Sequence, residues 1–544
     1  MSTYFDLGAH TRAVSTASRE AQEWFDRGLV WCYGFNHEEA IRCFERAGAA
    51  DPALAMAHWG IAYAIGPNYN KAWEAFEEDE LSAAVALAYA EIDAARALAD
   101  GASPVERALI EALAKRYPAV LPADDCAVWS DAYAGAMRDV YARFGGDRDV
   151  ATLFAEALIN RTPWALWDGK TGQPAEGADT LEALAVLERA IEQPGPAHPG
   201  ALHLYVHAME MSPFPERALR AADELRDLVP DAGHLLHMPT HIDVLCGLYR
   251  DVVVSNSRAI VADGKYLERE GALNFYTLYR CHNYHFKLYG AMFLGQLEPA
   301  LEAGAELVAT LPEELLRTPP MADWAEGFVP TRLHALVRFG RWRELIDEPL
   351  PADAELYCVT TAMLHYAKGV AHAALGEVDE ADAQRVLLAR AIERVPPTRY
   401  LFNNTCLDIL AVAAGMLDGE IAYRRGDFDR AFALLEEAVA RDDALPYDEP
   451  WGWMQPVRHA LGALLLEQGR VEEAEAVYRA DLGLDDTLSR PCQHPDNVWS
   501  LHGYHECLRR LGKGTEAAMV RPRLDLALAR ATVPIASSCF CRRG

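Results

Sequence analysis

No apolar run in the sequence reaches the roughly 18 residues a membrane-crossing helix needs, so no span is expected. Positive charge is scarce. Lysine and arginine number 51 against 81 aspartates and glutamates, the net charge is −30, and no basic cluster stands out. That excludes nucleic acid and anionic membrane as natural partners. The opening M-S-T-Y-F-D-L-G lacks a basic segment followed by an apolar one, so secretion by a signal peptide is not expected. Cysteine is sparse, eleven in 544 residues, and scattered through apolar helical stretches. This suits reduced thiols in a cytoplasm better than a disulfide framework. The patterns G-x-x-x-x-G-K-[ST], G-x-G-x-x-G and G-x-S-x-G are missing, which leaves nucleotide and serine-hydrolase chemistry without support.

What is present is a globular balance, 51% hydrophobic and 24% charged, over a length that allows several domains or one long repeat array. Residues 21 to 54 carry the clearest repeat. Trp24, Gly28, Trp31, Ala40, Phe44, Ala47 and Pro52 alternate large and small as a tetratricopeptide hairpin requires. Small residues let two helices approach, large ones fill the gap, and the proline ends the second helix. His37, in the turn F-N-H-E-E-A, reads as a capping or solvent-exposed residue. The next segment breaks at Gly66-Pro67, and the loop bearing Asn68, Tyr69, Asn70 and Trp73 reads as structural or as a ligand contact. The same register recurs after residue 320, in Gly369 with Ala381, Gly419 with Ala431, and Gly462 with Ala474. Gly304 departs from it, standing where a large residue belongs.

Histidine is concentrated where the repeat runs through the middle of the chain. Seven of 18 fall between residues 203 and 285: His203, His207, His234, His237, His241, His282 and His285. Spacings of three, four and seven lie on one face of a helix. Glu210 extends the first stripe. His203 to His237 and His207 to His241 are each 34 residues, the tetratricopeptide period, while His234 to His282 and His237 to His285 are each 48. Stacked repeats set equivalent positions side by side, so the spacing predicts that all seven, with Glu210, share one wall. They read either as hydrogen-bonded core histidines or as metal ligands. Glu156, in an apolar helix with Asn160 one turn on, reads as an internal salt bridge or as a further ligand. His365 and His372 fall at packing places. His459 and His502 fall at the repeat place of His203. Cys539 and Cys541, beside Arg542 and Arg543, can bind a soft metal, form a disulfide or be inert.

The segments W-F-D-R-G-L, A-H-W-G-I-A-Y-A-I-G-P-N-Y-N, H-L-Y-V-H-A-M-E, G-H-L-L-H-M-P-T-H-I, H-N-Y-H-F and the terminal S-C-F-C resemble those of a family of long bacterial tetratricopeptide-repeat proteins, over nearly the whole chain. The resemblance implies an α-solenoid and the usual role of such repeats, peptide binding in a concave groove. The expected fold is therefore all-α, a right-handed superhelix of helical hairpins. Its expected regions are N-terminal hairpins over 1–150, histidine-bearing repeats over 151–312, further repeats over 313–534 and a cysteine-containing tail over 535–544. The expected function is a metal-dependent oxidoreductase with a histidine-rich, one- or two-metal site, acting on a small-molecule or peptide-like substrate. The carboxylates at hand are only Glu210, Glu156 and Asp243, so the nitrogen-rich ligand set favours copper or iron, leaves zinc open, and argues against a carboxylate-bridged hydrolytic site. The alternative is a non-catalytic scaffold whose groove binds a partner peptide or a metal.

Overall fold

The computed structural model describes residues 4–543. Helices account for nearly all regular structure among them. The two-residue strands Tyr400–Leu401 and Asn404–Thr405 pair antiparallel and are the exception. The fold is all-α, of tetratricopeptide type: antiparallel helical hairpins packed in series. The chain divides into two compact units, one ending at Ile242 and one beginning at Asp243.

In the first unit, Arg19–Tyr33 pairs with His37–Ala50, Ala55–Ala64 with Glu78–Ala97, and Arg148–Ile159 with Thr180–Glu192. The alternation of large and small residues explains the pairing. The Phe44 ring is fully buried, and a Cβ on Gly28 or Gly60 would come within 2.7 or 2.5 Å of it. One aromatic on a second helix thus locks the two first helices beside it. Hairpin ends follow capping chemistry. Ser103 and Glu106 form a reciprocal capping box at Pro104–Leu113. At the first turn the sequence expectation is corrected: Asn36 is the cap, accepting from the Glu39 amide at 3.2 Å, and His37 is the half-buried first residue of the helix.

In the second unit, Cys358–Leu375 packs on Val378–Ile392, Cys406–Arg424 on Phe428–Asp442, Val457–Glu467 on Val471–Asp481, and Val498–Arg510 on Gly514–Arg530. Gly462 and Gly503 both abut the ring of Tyr478, repeating the Phe44 arrangement. Gly304 departs from the repeat because Arg332 approaches it: a Cβ there would lie 2.8 Å from Arg332 Cβ. The packing residue His365 bonds through Nδ1 to Gln384 at 2.8 Å, and His372 bonds to Glu377 at 2.7 Å. Cys539 and Cys541 are disulfide-bonded. Their tail is docked, with Arg338 donating to the Ser538 carbonyl at 2.8 Å and Arg542 paired with Glu506 at 2.8 Å. The other nine cysteines are not part of that disulfide, and eight of them are buried. No helix among the described residues is long and apolar enough to cross a membrane.

His459 serves a buried carboxylate. Asp481 accepts from His459 Nε2 at 3.0 Å, His494 Nδ1 at 2.9 Å, Asn497 Nδ2 at 3.0 Å and Ser500 Oγ at 2.6 Å. Burial pushes its carboxyl up, but His459 and His494 outweigh that and hold it well below the usual range. A depressed carboxyl contributes stability that is present above its unfolded value, about pH 4, and is lost as pH falls through the folded value. Asp481→Asn is therefore expected to cost about 1–3 kcal/mol in urea unfolding at pH 7. The gap to wild type should shrink below about pH 4; a gap that grows there would contradict this account.

Candidate metal centre

Five of the seven histidines lie in the first unit, with Glu210. The helix Pro199–Glu210 begins at Pro199, with His198 as its cap, and carries His203, His207 and Glu210. The second stripe does not form one helix as its spacing predicts. Gly233–His237 ends and Pro239–Leu245 begins across Met238. Pro239 has no N–H to continue the ladder. His234, His237 and His241 are nonetheless all buried. The nitrogens of His203, His207 and His234 lie within 4.8 Å of one another, and so do the ligand atoms of His207, Glu210 and His241. Both groups can hold a metal ion.

The hydrogen bonds fix which ring nitrogens carry protons. A carbonyl or an ionised carboxylate only accepts, so the imidazole nitrogen facing it must donate. His203 Nδ1 lies 2.6 Å from the Tyr33 carbonyl. Glu210 holds two rings at once, His207 Nδ1 at 3.0 Å from Oε1 and His241 Nδ1 at 2.8 Å from Oε2. Thr240 gives its hydroxyl proton to the His237 carbonyl at 2.7 Å and lies 3.3 Å from His237 Nδ1. In their neutral forms, His203, His207 and His241 thus carry their lone pairs on Nε2. Burial first, and neighbouring imidazoles next, push His203, His207 and His234 well below the ordinary imidazole value, which favours those neutral forms.

The Nε2 atoms meet. His237 and His241 face each other at 2.8 Å, and His203 and His234 at 3.1 Å. The second contact is an ordinary N–H···N bond if His234 donates. The first is one likewise if His237 donates. Two nitrogens on one ion at about 2.05 Å would subtend roughly 85–100° at these separations. His207 Nε2 is buried with no hydrogen-bond partner among the described residues.

Aromatic rings enclose the cluster. Phe35, held at φ 54° in the first turn, sits 4.5 Å from His203, 5.7 Å from His207 and 5.5 Å from His234, centroid to centroid. Tyr69, from the loop the sequence singled out, lies 4.7 Å from His207, and Trp164 lies 6.1 Å away. Sequence reasoning missed Phe35 and Trp164, since a lone aromatic in a turn carries no periodic signal.

A third group, His10, Asp149 and His198, was also missed, and its bonding differs. The Ala201 amide donates to His198 Nδ1 at 3.2 Å, so His198 Nε2 bears the proton that it gives Asp149 at 3.1 Å. His198 keeps no lone pair for a metal. Asp149 also accepts from the Tyr33 hydroxyl at 2.7 Å, which anchors the strand of contacts leading to His203.

Glu156 is buried and paired with Arg116 at 3.7 Å, the internal salt bridge of the two sequence readings. Burial raises its carboxyl, against the pull of Arg116. His282 and His285 belong to the second unit, on Tyr276–Leu294. His282 packs on Phe402 at 4.6 Å, and His285 Nε2 lies 3.2 Å from Met454 Sδ.

No protein-family model matches the chain, and no curated protein does. Among solved structures, that of Naa15/Naa10 bound to HypK-THB contains a chain aligning with 95% of this one over 71% of its own length, at 13% identity and a TM-score of 0.22. That superposition is too loose to extend to function.

Proposed function

We propose that the first unit houses a transition-metal centre on imidazole nitrogens, and that the protein is a metal-dependent oxidoreductase acting on a small-molecule or peptide-like substrate. One observation carries the metal reading: Glu210 takes the Nδ1 protons of both His207 and His241, which leaves Nε2 as the coordinating atom of each buried ring. A carboxylate behind a histidine is the usual companion of a ligating ring, fixing its tautomer and raising its basicity. Glu210 then orients His207 and His241, and the ligands are drawn from His203, His207, His234, His237 and His241. Nitrogen donors with one nearby carboxylate favour copper or iron, with zinc also suited. Such an ion supplies Lewis-acid or electron-transfer chemistry. The chain's own contribution is a dry, aromatic-walled enclosure with prefixed tautomers.

Elemental analysis tests this on protein purified without a histidine tag after growth in metal-supplemented medium. About one or two transition-metal ions per chain are expected. His237→Ala should lose metal, while His365→Ala, whose ring is occupied by Gln384, should keep it. Absence of metal from the wild type would sink the reading, and equal metal in the two variants would place the ligands elsewhere.

A further inference from the structure

The same unit buries an arginine that is ion-paired with Glu156 but makes no hydrogen bond among the described residues. Arg116 is 0% exposed, and none of its three nitrogens has a hydrogen-bond partner among the described residues. Glu156 Oε1 stands 3.7 Å from Nη2, beyond hydrogen-bond reach. The Tyr133 ring lies 4.7 Å from the guanidinium carbon. Around it, acceptors are unmet as well. Glu156 Oε1 takes the Asn160 amide, while Glu156 Oε2 and Asn160 Oδ1 have no partner among the described residues, nor do the hydroxyls of Tyr117 and Tyr133.

A buried charge without hydrogen bonds is costly, so such a group calls for a partner, whether water, an ion or another molecule. The pattern here is specific. A charged donor and a charged acceptor lie side by side, with hydroxyls that serve either polarity. Water can hydrogen-bond to each of these groups, but only a zwitterion also matches the guanidinium and the carboxylate in charge.

This place adjoins the imidazole cluster through the loop after Gly66. A Cβ on Gly66 would overlap the Tyr117 hydroxyl, so the loop comes down directly on Tyr117. Three residues later, Tyr69 lies against His207 at 4.7 Å. Trp73 closes the far side, 6.1 Å from Tyr117.

We infer that Arg116 and Glu156 form a binding site for a small zwitterion of the α-amino-acid class, its carboxylate taken by Arg116 and its ammonium by Glu156 Oε2. The choice of zwitterion follows from charge. The Arg116–Glu156 pair is neutral when ionised. A plain carboxylate would leave one net negative charge buried, and an amine one positive, whereas a zwitterion leaves none. Arginine's planar fork suits a carboxylate. That this molecule is the substrate rests on the metal reading above; that it binds does not.

The test is calorimetric titration of the full-length protein with each of the twenty standard L-amino acids at millimolar concentration. At least one is expected to bind. Its matched α-hydroxy acid and its matched amine should each bind roughly ten-fold more weakly or worse, since each leaves one buried charge unanswered. Arg116→Gln and Glu156→Gln should abolish binding while metal content stays at the wild-type level. If Arg116→Gln fails to fold by circular dichroism, Arg116→Lys keeps the charge but not the fork, and Tyr117→Phe removes one hydroxyl; both should weaken binding. Failure of all twenty amino acids to bind overturns the inference, as does a hydroxy acid that binds as tightly as its amino acid. Amino-acid binding without any metal would leave the inference standing and sink the metal centre alone.

Discussion

Glu210→Gln is expected to lower the affinity of the first unit for a transition-metal ion by roughly 10- to 100-fold, with the fold retained. Glutamine matches glutamate in size, so packing around this fully buried side chain changes little. Its hydrogen bonding changes completely. The carboxylate accepts from His207 Nδ1 and His241 Nδ1 together. An amide offers one accepting oxygen and one donating nitrogen. Only one ring keeps its Nδ1 proton. The other must accept from the amide nitrogen, which moves its own proton to Nε2 and removes that lone pair from the centre. Competition against a chromophoric chelator measures the loss, and urea unfolding of the metal-free proteins serves as the control. Unchanged metal affinity would mean that Glu210 is a core hydrogen-bonding residue and nothing more.

The parts of this arrangement that the sequence disclosed are those that repeat. A 34-residue period set His207 and His241 at equivalent places, and the two rings meet on one carboxylate. The large–small alternation around Gly28 and Phe44 likewise became a ring wedged between glycines. Local exceptions were hidden. Pro239 splits the second stripe, because one missing N–H matters more than the spacing around it. Phe35 reaches three imidazoles from a turn whose backbone is left-handed, which periodicity does not register. Arg116 carried no motif at all. Its ion pair with Glu156 and its lack of hydrogen bonds among the described residues arise only in the folded chain.

Phe44→Ala should remove about 3–5 kcal/mol of stability from the first unit, the range for truncating a buried phenylalanine. Phe44 is fully buried and packs tilted against Phe25, ring centroids 5.4 Å apart. It fills the space between two first helices, near Gly28 on one side and Gly60 on the other, so truncation leaves a cavity shared by two hairpins. In stacked repeats each unit holds its neighbour, so the loss is cooperative rather than local. Gly60→Ala alone should cost about 1–3 kcal/mol, because its new methyl meets the ring. Combined with Phe44→Ala, that methyl enters the vacated space. The double variant should therefore be more stable than the sum of the two single losses, a coupling that urea unfolding of all four proteins would resolve. Simple additivity would show that the ring is not the wedge between these helices. The consequence reaches the metal centre through the helix Arg19–Tyr33, which carries Gly28 and ends at Tyr33. Its last carbonyl holds His203 Nδ1 at 2.6 Å, and Phe35 follows two residues on, among the imidazoles. Loosening the Phe44 wedge should thus weaken metal retention as well, without touching a single ligand.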